Sequence, residues 1–136
     1  MKLITRDTDY AIMAICFMAK KKYRVVSVPE LVKELRIPRP FLRKILQMLN
    51  KSKVLKSFKG SGGGFRLNKP ADKIFILDLV TANQGPFELF GHTIKDEPCH
   101  NAKKCILKKK LDVIESNIKK ELKNITIADL ICRERF

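Results

Sequence analysis

The sequence contains four cysteines, Cys16, Cys99, Cys105 and Cys132, and these are its most reactive side chains. Four thiols are enough for two disulfides, but nothing in the sequence marks a secreted chain, and cytosolic thiols stay reduced. We therefore expect a cytoplasmic protein whose cysteines serve a metal or redox role. Cys16 lies on the apolar stripe of the first predicted helix and is assigned to the core. Cys132 is interpreted as part of a frayed C-terminal end, with a spare metal ligand as the alternative.

Cys99 and Cys105 form the pair with the clearest chemical potential, because only five residues separate them and one of these is His100. The pair follows a predicted loop and precedes a long predicted helix. Structural zinc sites usually have more closely spaced cysteines and a second pair elsewhere, so the spacing does not select zinc. Ordinary thiols, a zinc site and an iron–sulfur cluster all stay open on spacing alone.

A second set of functional side chains lies on a helix predicted to start near Pro40. One face carries Arg39, Arg43, Gln47 and Asn50, and the opposite face carries Leu42, Ile45, Leu46 and Leu49. A guanidinium group matches the two acceptors of guanine, a Gln or Asn amide matches adenine, and a helix fits the major groove. These are the properties of a DNA-recognition helix. The alternative is the solvated polar face of an ordinary surface helix.

A shorter amphipathic helix is predicted just before the recognition helix. Ser27 and Glu30 have the spacing of a capping box, and Pro29 suits the first helical turn. Pro38 and Pro40 separate the two helices, because proline has no N–H group to donate within a helix. The segment is therefore predicted to be a helix-turn-helix.

The helix-turn-helix leads into a predicted β-hairpin, formed by residues 54–58 and 65–67 around a glycine-rich tip with Lys59 and Arg66 beside it. Glycines let a backbone approach DNA closely, and the cations attract phosphate. A nucleotide-binding phosphate loop is the competing interpretation, but its lysine and following helix are missing. A flexible linker is the other alternative, and the strand-like flanks argue against it.

Residues 37–46 and 59–67 resemble the Rrf2 family of bacterial winged-helix transcription regulators, which includes IscR, NsrR and CymR. Residues 8–11 and the late cysteine pair resemble further landmarks of the family, so the likeness covers nearly the whole chain. It implies double-stranded DNA as the partner, and the two recognition helices of a twofold dimer would require an inverted-repeat operator. The patterns and the resemblance together predict these DNA-contacting residues: Ser27, Arg39, Pro40, Phe41, Arg43, Lys44, Gln47, Lys59, Gly60, Ser61, Gly62, Gly63 and Arg66.

The resemblance also favours an iron–sulfur cluster, of the 2Fe-2S or 4Fe-4S type, at the cysteine pair. Family sensors carry three cysteines with five residues between successive ones, and the first two correspond to Cys99 and Cys105. The third position is Leu111 here, so that ligand set is incomplete. Relatives with two cysteines complete the cluster with acidic or imidazole ligands from the other subunit. That implies Asp9 of a second copy, His92 or His100 as further ligands, although Asp7, Thr8 or Asp9 is also the expected N-cap of the first helix, over residues 8–22.

A long helix follows the cysteine pair, and its apolar residues repeat with an average step close to the helical period: Leu107, Leu111, Ile114, Ile118, Leu122 and Ile125. This stripe is predicted to pack against a second copy of the chain and against the first helix. After it, Thr126 and Asp129 are expected to cap a last short helix.

The predicted fold class is mainly α with a small β-hairpin wing. Residues 1–84 form the winged helix-turn-helix DNA-binding domain and residues 85–105 the sensor loop with the cysteine pair. Residues 106–136 form the dimerisation helix and C-terminal arm.

Charge supports a nucleic-acid partner, since the formal net charge is +15 and the basic excess is concentrated in the first 80 residues. No apolar run is long enough for a membrane span, and no catalytic set of nucleophile, base and orienting group is recognisable, so neither a membrane protein nor an enzyme is expected.

The sequence therefore predicts a homodimeric, sequence-specific transcription regulator, acting as a repressor, that senses iron–sulfur, redox or nitrosative status through Cys99 and Cys105. The alternative is a cluster-free regulator controlled by thiol oxidation or by a protein co-regulator.

Overall fold

The computed structural model describes residues 2–22, 24–91, 93–94, 97–101 and 103–132. The described residues confirm a mainly α fold with a small hairpin wing. Its elements are α1 (Arg6–Ala19), α2 (Val28–Leu35), α3 (Arg39–Lys51), β1 (Leu55–Phe58), β2 (Gly64–Leu67), α4 (Ile76–Gln84), β3 (Thr93–Ile94), β4 (Glu97–Pro98), α5 (Ile106–Lys123) and α6 (Ile127–Cys132).

Helix α1 starts two residues earlier than predicted, and the predicted cap is wrong. Its N-cap is Thr5, whose hydroxyl accepts the backbone N–H of Thr8 at 3.3 Å. Asp7 and Asp9 lie in the first turn, where carboxylates interact favourably with the helix dipole. The helix also ends earlier, at Ala19. Cys16 is fully buried, which confirms its assignment to the core.

Helices α2 and α3 form the predicted helix-turn-helix. Ser27 caps α2 by accepting the backbone N–H of Glu30 at 3.2 Å. The helix ends at Arg36, which has a left-handed backbone with φ of 56°. The apolar face of α3 is buried as predicted, through Leu42, Ile45, Leu46 and Leu49. Because that face is fixed in the core, the polar face of α3 is held outward.

The wing is an antiparallel pair, with Leu55 opposite Leu67 at its base and Phe58 opposite Gly64 near its tip. The sequence did not predict its connection to the helical body: Val26 and Phe65 exchange two backbone hydrogen bonds, of 2.8 and 2.9 Å. Gly64 is required at this junction, because a Cβ atom there would lie 2.2 Å from the carbonyl oxygen of Val26. The hairpin is therefore fixed against the start of α2.

The chain after the wing returns to the body at two points. Helix α4 ends at Gln84, and Gly85 is its C-cap. Backbone hydrogen bonds of 2.9 Å join Ile76 to Ile125 and Ile127 to Ile74. The predicted cap of α6 is confirmed, since Thr126 and Asp129 bond each other's backbone N–H groups at 2.9 and 3.2 Å. The small β3–β4 hairpin lies in a segment predicted to be an irregular loop.

The apolar stripe of α5 divides into two parts. Leu122 is buried and Ile118 packs partly against the core, while α5 lies against α4. It is α6, rather than α5, that makes the main contact with α1. Near the start of α5, Leu107 is 58% exposed and Ile114 is 47% exposed. This N-terminal part of the stripe is exposed, and so is Ile125, at 37%, beyond the C-terminal end of α5.

Candidate nucleic-acid interface and cysteine site

A groove of about 450 Å³ lies between α3, the start of α2 and the wing. Arg39, Arg43 and Gln47 project from α3 into it, and Lys59 lies across from them at the wing tip. Seven of the predicted DNA-contacting residues line this one groove: Ser27, Arg39, Arg43, Gln47, Lys59, Gly60 and Gly63. Residues far apart in sequence are thus brought to one surface.

The other predicted contact residues lie outside the groove. Pro40, Phe41 and Lys44 are exposed on α3, and Phe41 is 52% exposed. Ser61 and Gly62 are exposed at the wing tip, while Arg66 belongs to β2. Asn50, Ser57 and Phe58 line the groove without having been among the predicted contacts. Asn50 lies on the predicted polar face of α3, so helical periodicity could have identified it as a groove residue. Ser57 and Phe58 of β1 could not be identified in this way, because their position depends on how the wing packs against the helices.

The groove is electrostatically suited to an anion. Its described lining includes three cationic side chains, Arg39, Arg43 and Lys59, and no carboxylate. The amides of Gln47 and Asn50 add hydrogen-bond donors and acceptors. Such a lining can bind phosphate through the cations and read base edges through the guanidinium and amide groups.

The start of α2, which forms one wall of the groove, is held by an ion pair. The Arg24 guanidinium donates to both carboxylate oxygens of Glu30, at 2.6 and 3.2 Å. This hydrogen bonding lowers the pKa of Glu30 and raises the pKa of Arg24. The Glu30 carboxylate is therefore directed toward Arg24. It does not accept the backbone N–H of Ser27, which is the second hydrogen bond of the predicted capping box.

The cysteine pair lies beyond the winged helix, at the entrance to α5. Cys99 directly follows β4, and Cys105 is the N-cap of α5, with its Sγ accepting the backbone N–H of Lys108 at 3.4 Å. Both thiols are partly exposed and neither forms a disulfide within the described residues, and His100 is exposed. The Lys108 ammonium donates to Asp112 at 2.6 Å, which raises the pKa of Lys108. The Lys108 charge is therefore paired with a carboxylate one turn further along α5.

Asp9 does not meet the cysteines within one chain. It lines a groove that also includes Leu122 and Ile125, at the C-terminal end of α5, whereas Cys105 caps the N-terminal end. Leu122 follows Cys105 by 17 residues, which corresponds to roughly 25 Å along a helix at 1.5 Å per residue. In the part of the chain that the structure describes, no three metal-ligating side chains cluster. His92 and the side chain of Cys132 lie outside that part.

The exposed apolar surface of α5 was only partly predicted. Ile106 and Val113 are 73% and 60% exposed, beside Leu107 and Ile114, which are 58% and 47% exposed. The spacing of Ile106 and Val113, seven residues apart, is itself a helical signal for a second row. These four side chains are called the α5 apolar surface below.

Comparisons with known proteins agree with this arrangement. The model of a family named Rrf2 and described as "Iron-dependent Transcriptional regulator" matches residues 4–133. A protein of Aquifex aeolicus (strain VF5) named "Putative HTH-type transcriptional regulator" is 39% identical over 139 residues, covering 95% of this chain and 92% of the relative.

Solved structures share the fold at low identity. CymR (YrzC), the global cysteine regulator of B. subtilis, superposes with a TM-score of 0.74 at 22% identity, over 98% of both chains. IscR of T. potens gives a TM-score of 0.71 at 21% identity, over 98% of this chain and 88% of the other. None of the helices in the described residues has the length and apolar character needed to cross a membrane.

Proposed function

Because the chain belongs to the Rrf2 family of transcriptional regulators, it is a DNA-binding regulator rather than an enzyme, and we propose that it represses transcription as a homodimer with a cysteine-based sensor. The observation that carries the DNA-binding part is the single groove shared by the polar face of α3 and the wing. We propose that it acts in the cytoplasm.

The proposed DNA contacts divide by chemistry. Arg43 and Gln47 project from the middle of the recognition helix and are assigned to base edges, because guanidinium and amide groups make bidentate contacts with guanine and adenine. Ser27 at the start of α2 and Lys59 at the wing are assigned to phosphates, which position the protein without reading sequence. Arg39, Gly60 and Gly63 also line the groove. The predicted contacts Pro40, Phe41, Lys44, Ser61 and Gly62 lie outside it on exposed surface, and Arg66 belongs to β2.

The second copy is proposed to bind at the α5 apolar surface. Four large apolar side chains that are between 47% and 73% exposed lie within two helical turns of one another. Soluble proteins usually cover an apolar surface of this kind with a partner, and identical subunits associate most often through a twofold axis. A twofold axis would present two recognition helices to an inverted-repeat operator.

Cys99 and Cys105 are proposed as the residues that receive the signal. An iron–sulfur cluster takes thiolate ligands, and these two half-exposed thiols supply only part of a ligand set within one chain. The other ligands must come from elsewhere, and Asp9 of a second copy is the proposed source because Asp9 is too far from Cys105 in its own chain. When bound, the cluster would supply a redox-sensitive link between two subunits.

A second candidate mechanism is cluster-free thiol oxidation. It is favoured by the position of Cys105, whose Sγ accepts a backbone N–H at the positive end of an 18-residue helix. A protein co-regulator that recognises the cysteine segment is a further variant of this mechanism.

The decisive experiment combines DNA selection with anaerobic preparation. A duplex recovered from a random-sequence pool is expected to be an inverted repeat and to bind far more tightly than a scrambled duplex. Protein purified without oxygen is then assayed for iron, sulfide and visible absorbance. Cys99→Ala and Cys105→Ala should both remove the chromophore, whereas Cys16→Ala should retain it.

Two results would count against parts of this proposal. Recovery of no preferred duplex would contradict sequence-specific DNA binding. Protein that contains neither iron nor sulfide, but loses operator affinity on mild oxidation only when Cys99 and Cys105 are present, would replace the cluster with the thiol mechanism.

A further inference from the structure

One face of the wing carries two cations, Lys56 and Arg66, that do not line the groove. Lys56 and Phe58 are two residues apart on β1, so their side chains lie on the same face of the strand. Arg66 on β2 is directly opposite Lys56 in the antiparallel register. The three side chains therefore share one face, while Leu55 and Leu67 beside them are buried on the other.

Both cations lie over the same aromatic ring. The centre of the Arg66 guanidinium is 4.9 Å from the centroid of the Phe58 ring, and the Lys56 ammonium nitrogen is 5.6 Å from it. These distances are within the range at which a cation is attracted to the face of a ring. Phe58 is partly exposed and is not a member of the buried core. Its ring thus holds the two cations in place without being needed to fill the interior.

The arrangement is electrostatically unfavourable without an anion. Lys56 and Arg66 are cross-strand neighbours, whose Cα atoms in an antiparallel pair lie about 5 Å apart, and like charges so placed destabilise a hairpin. Among the residues that the structure describes, the ion pairs are formed by Arg24, Lys108 and Lys119, so no carboxylate neutralises the wing cations. An anion that contacts both would remove the repulsion.

We propose that Lys56, Phe58 and Arg66 form a phosphate-binding platform for the DNA backbone, in which Phe58 is a positioning residue. Arg66 donates two parallel N–H bonds to a phosphodiester and Lys56 adds a point charge. Phe58 also lines the groove that contains Arg43 and Lys59, so the platform is continuous with the recognition surface. The inference rests on the proposed DNA binding and extends it to a phosphate outside the groove.

The ring contributes by fixing the cations before DNA arrives. A free arginine or lysine side chain loses rotamer freedom on binding, and a side chain already held by a ring loses less. Because phosphates are the same in every sequence, the platform should strengthen binding to all duplexes equally. This separates it from a base-reading role for Phe58.

The test compares Phe58→Leu, which removes the ring and keeps an apolar side chain, with Phe58→Tyr, which keeps the ring. Affinities for the selected and the scrambled duplex are measured at several salt concentrations. Phe58→Leu should weaken both duplexes by the same factor, about three- to tenfold for the loss of two exposed cation–ring contacts. Phe58→Tyr should bind as the unaltered protein does. Replacing both Lys56 and Arg66 with alanine should reduce the salt dependence of binding.

Three results would overturn the platform while leaving the proposed function intact. In the first, Phe58→Leu binds DNA with unchanged affinity although Arg66→Ala binds more weakly. In the second, Phe58→Leu loses affinity only for the selected duplex. In the third, Phe58→Tyr binds as weakly as Phe58→Leu. Thermal unfolding of Phe58→Leu close to that of the unaltered protein confirms that the hairpin has folded. If the unaltered protein bound neither duplex, the proposed function and the platform would both be rejected.

Discussion

The two halves of the molecule differ in whether a single chain supplies all the residues of their core and of their functional site. In the winged-helix half, residues 2–84, the apolar faces of the helices meet in one core, and the polar groups of α3 and the wing already share a groove. In the C-terminal half, residues 85–132, the described side chains that are buried and apolar are only Leu122 and Ile127. The α5 apolar surface faces outward there, and two cysteines lack further ligands among the described residues.

This difference indicates that the two halves have different functions, DNA binding in the first and sensing in the second. A DNA-reading surface has to be rigid, because base contacts depend on fixed side-chain geometry, and a core within one chain provides that rigidity. A sensor controls such a surface most effectively when the binding of its remaining ligands changes the position of one subunit relative to the other. We infer that the C-terminal half is finished only in the dimer, so that a signal at Cys99 and Cys105 alters the spacing of two intact reading surfaces.

The largest expected effect is on DNA binding, through the α5 apolar surface. Ile114→Asp places a charge among apolar side chains that we propose to be buried between subunits, and should yield monomers. Loss of the second half-site contact should lower operator affinity about a hundredfold or more, because the two reading surfaces no longer bind as one unit. Sedimentation and titration of the selected duplex measure both effects.

Ser116→Asp is the matched control, since Ser116 is exposed on the opposite side of α5 and receives the same charge. It should remain dimeric and bind the operator normally. If Ile114→Asp and Ser116→Asp had the same oligomeric state and the same operator affinity, the α5 apolar surface would not be the dimer interface.

The next effect concerns the integrity of the winged-helix half. Gly64→Ala forces a Cβ atom against the Val26 carbonyl oxygen, so the backbone bridge between wing and body must open. We expect a loss of about 3 kcal/mol in the free energy of unfolding, at the upper end of the usual range for single substitutions. Urea denaturation followed by circular dichroism measures it.

Gly62→Ala provides the control for that prediction, because its Cβ would meet nothing within 4 Å although its φ is 74°. It should cost only about 1 kcal/mol, the penalty of a left-handed backbone for a side chain. If both variants were equally destabilised, the close approach to Val26 would not be the reason for glycine at position 64.

A comparable effect on affinity separates base reading from phosphate binding. Arg43→Ala should cost about 1 to 3 kcal/mol on the selected duplex and relax the preference at one base pair, because a bidentate contact is lost. Lys59→Ala should weaken binding to the selected and scrambled duplexes alike. It should also reduce the slope of log affinity against log salt concentration by about 1, because one phosphate contact is lost. Equal losses on both duplexes for Arg43→Ala would reject its assignment as a base reader.

The smallest effect is a gain in stability. Arg36 ends α2 with φ of 56°, a conformation that glycine adopts without strain. Arg36→Gly should therefore raise the free energy of unfolding by about 0.5 to 1 kcal/mol. Lys33→Gly, within the same helix, should lower it by a similar amount. A destabilised Arg36→Gly would show that the arginine side chain makes a contact that outweighs the backbone strain.

The winged-helix half was largely predictable because local rules and packing agree there. Helical periodicity placed Leu42 and Leu46 in the core, and the position of Arg43 on the opposite face follows from that. The exchange of hydrogen bonds between Val26 and Phe65 was not predictable, since it joins residues 39 positions apart. For the same reason Phe58 was not identified as a wall of the groove.

The C-terminal half was predicted less well because its stripe serves two surfaces. The spacing of Leu107, Ile114, Ile118 and Leu122 is regular, yet Ile118 and Leu122 pack against the chain itself while Leu107 and Ile114 are exposed. Periodicity shows that a face is apolar and does not show what covers it. The first-helix cap was missed because Asp7, Thr8 and Asp9, which closely follow Thr5, are also residue types that cap helices.

Sedimentation equilibrium of the unaltered protein at micromolar concentration tests the central claim most directly. A chain of 15.7 kDa whose C-terminal half is completed by a second copy should sediment with twice that mass, before and after removal of any bound metal. A single species with the mass of one chain, under both conditions, would contradict the account, because the α5 apolar surface would then be exposed in the functional protein.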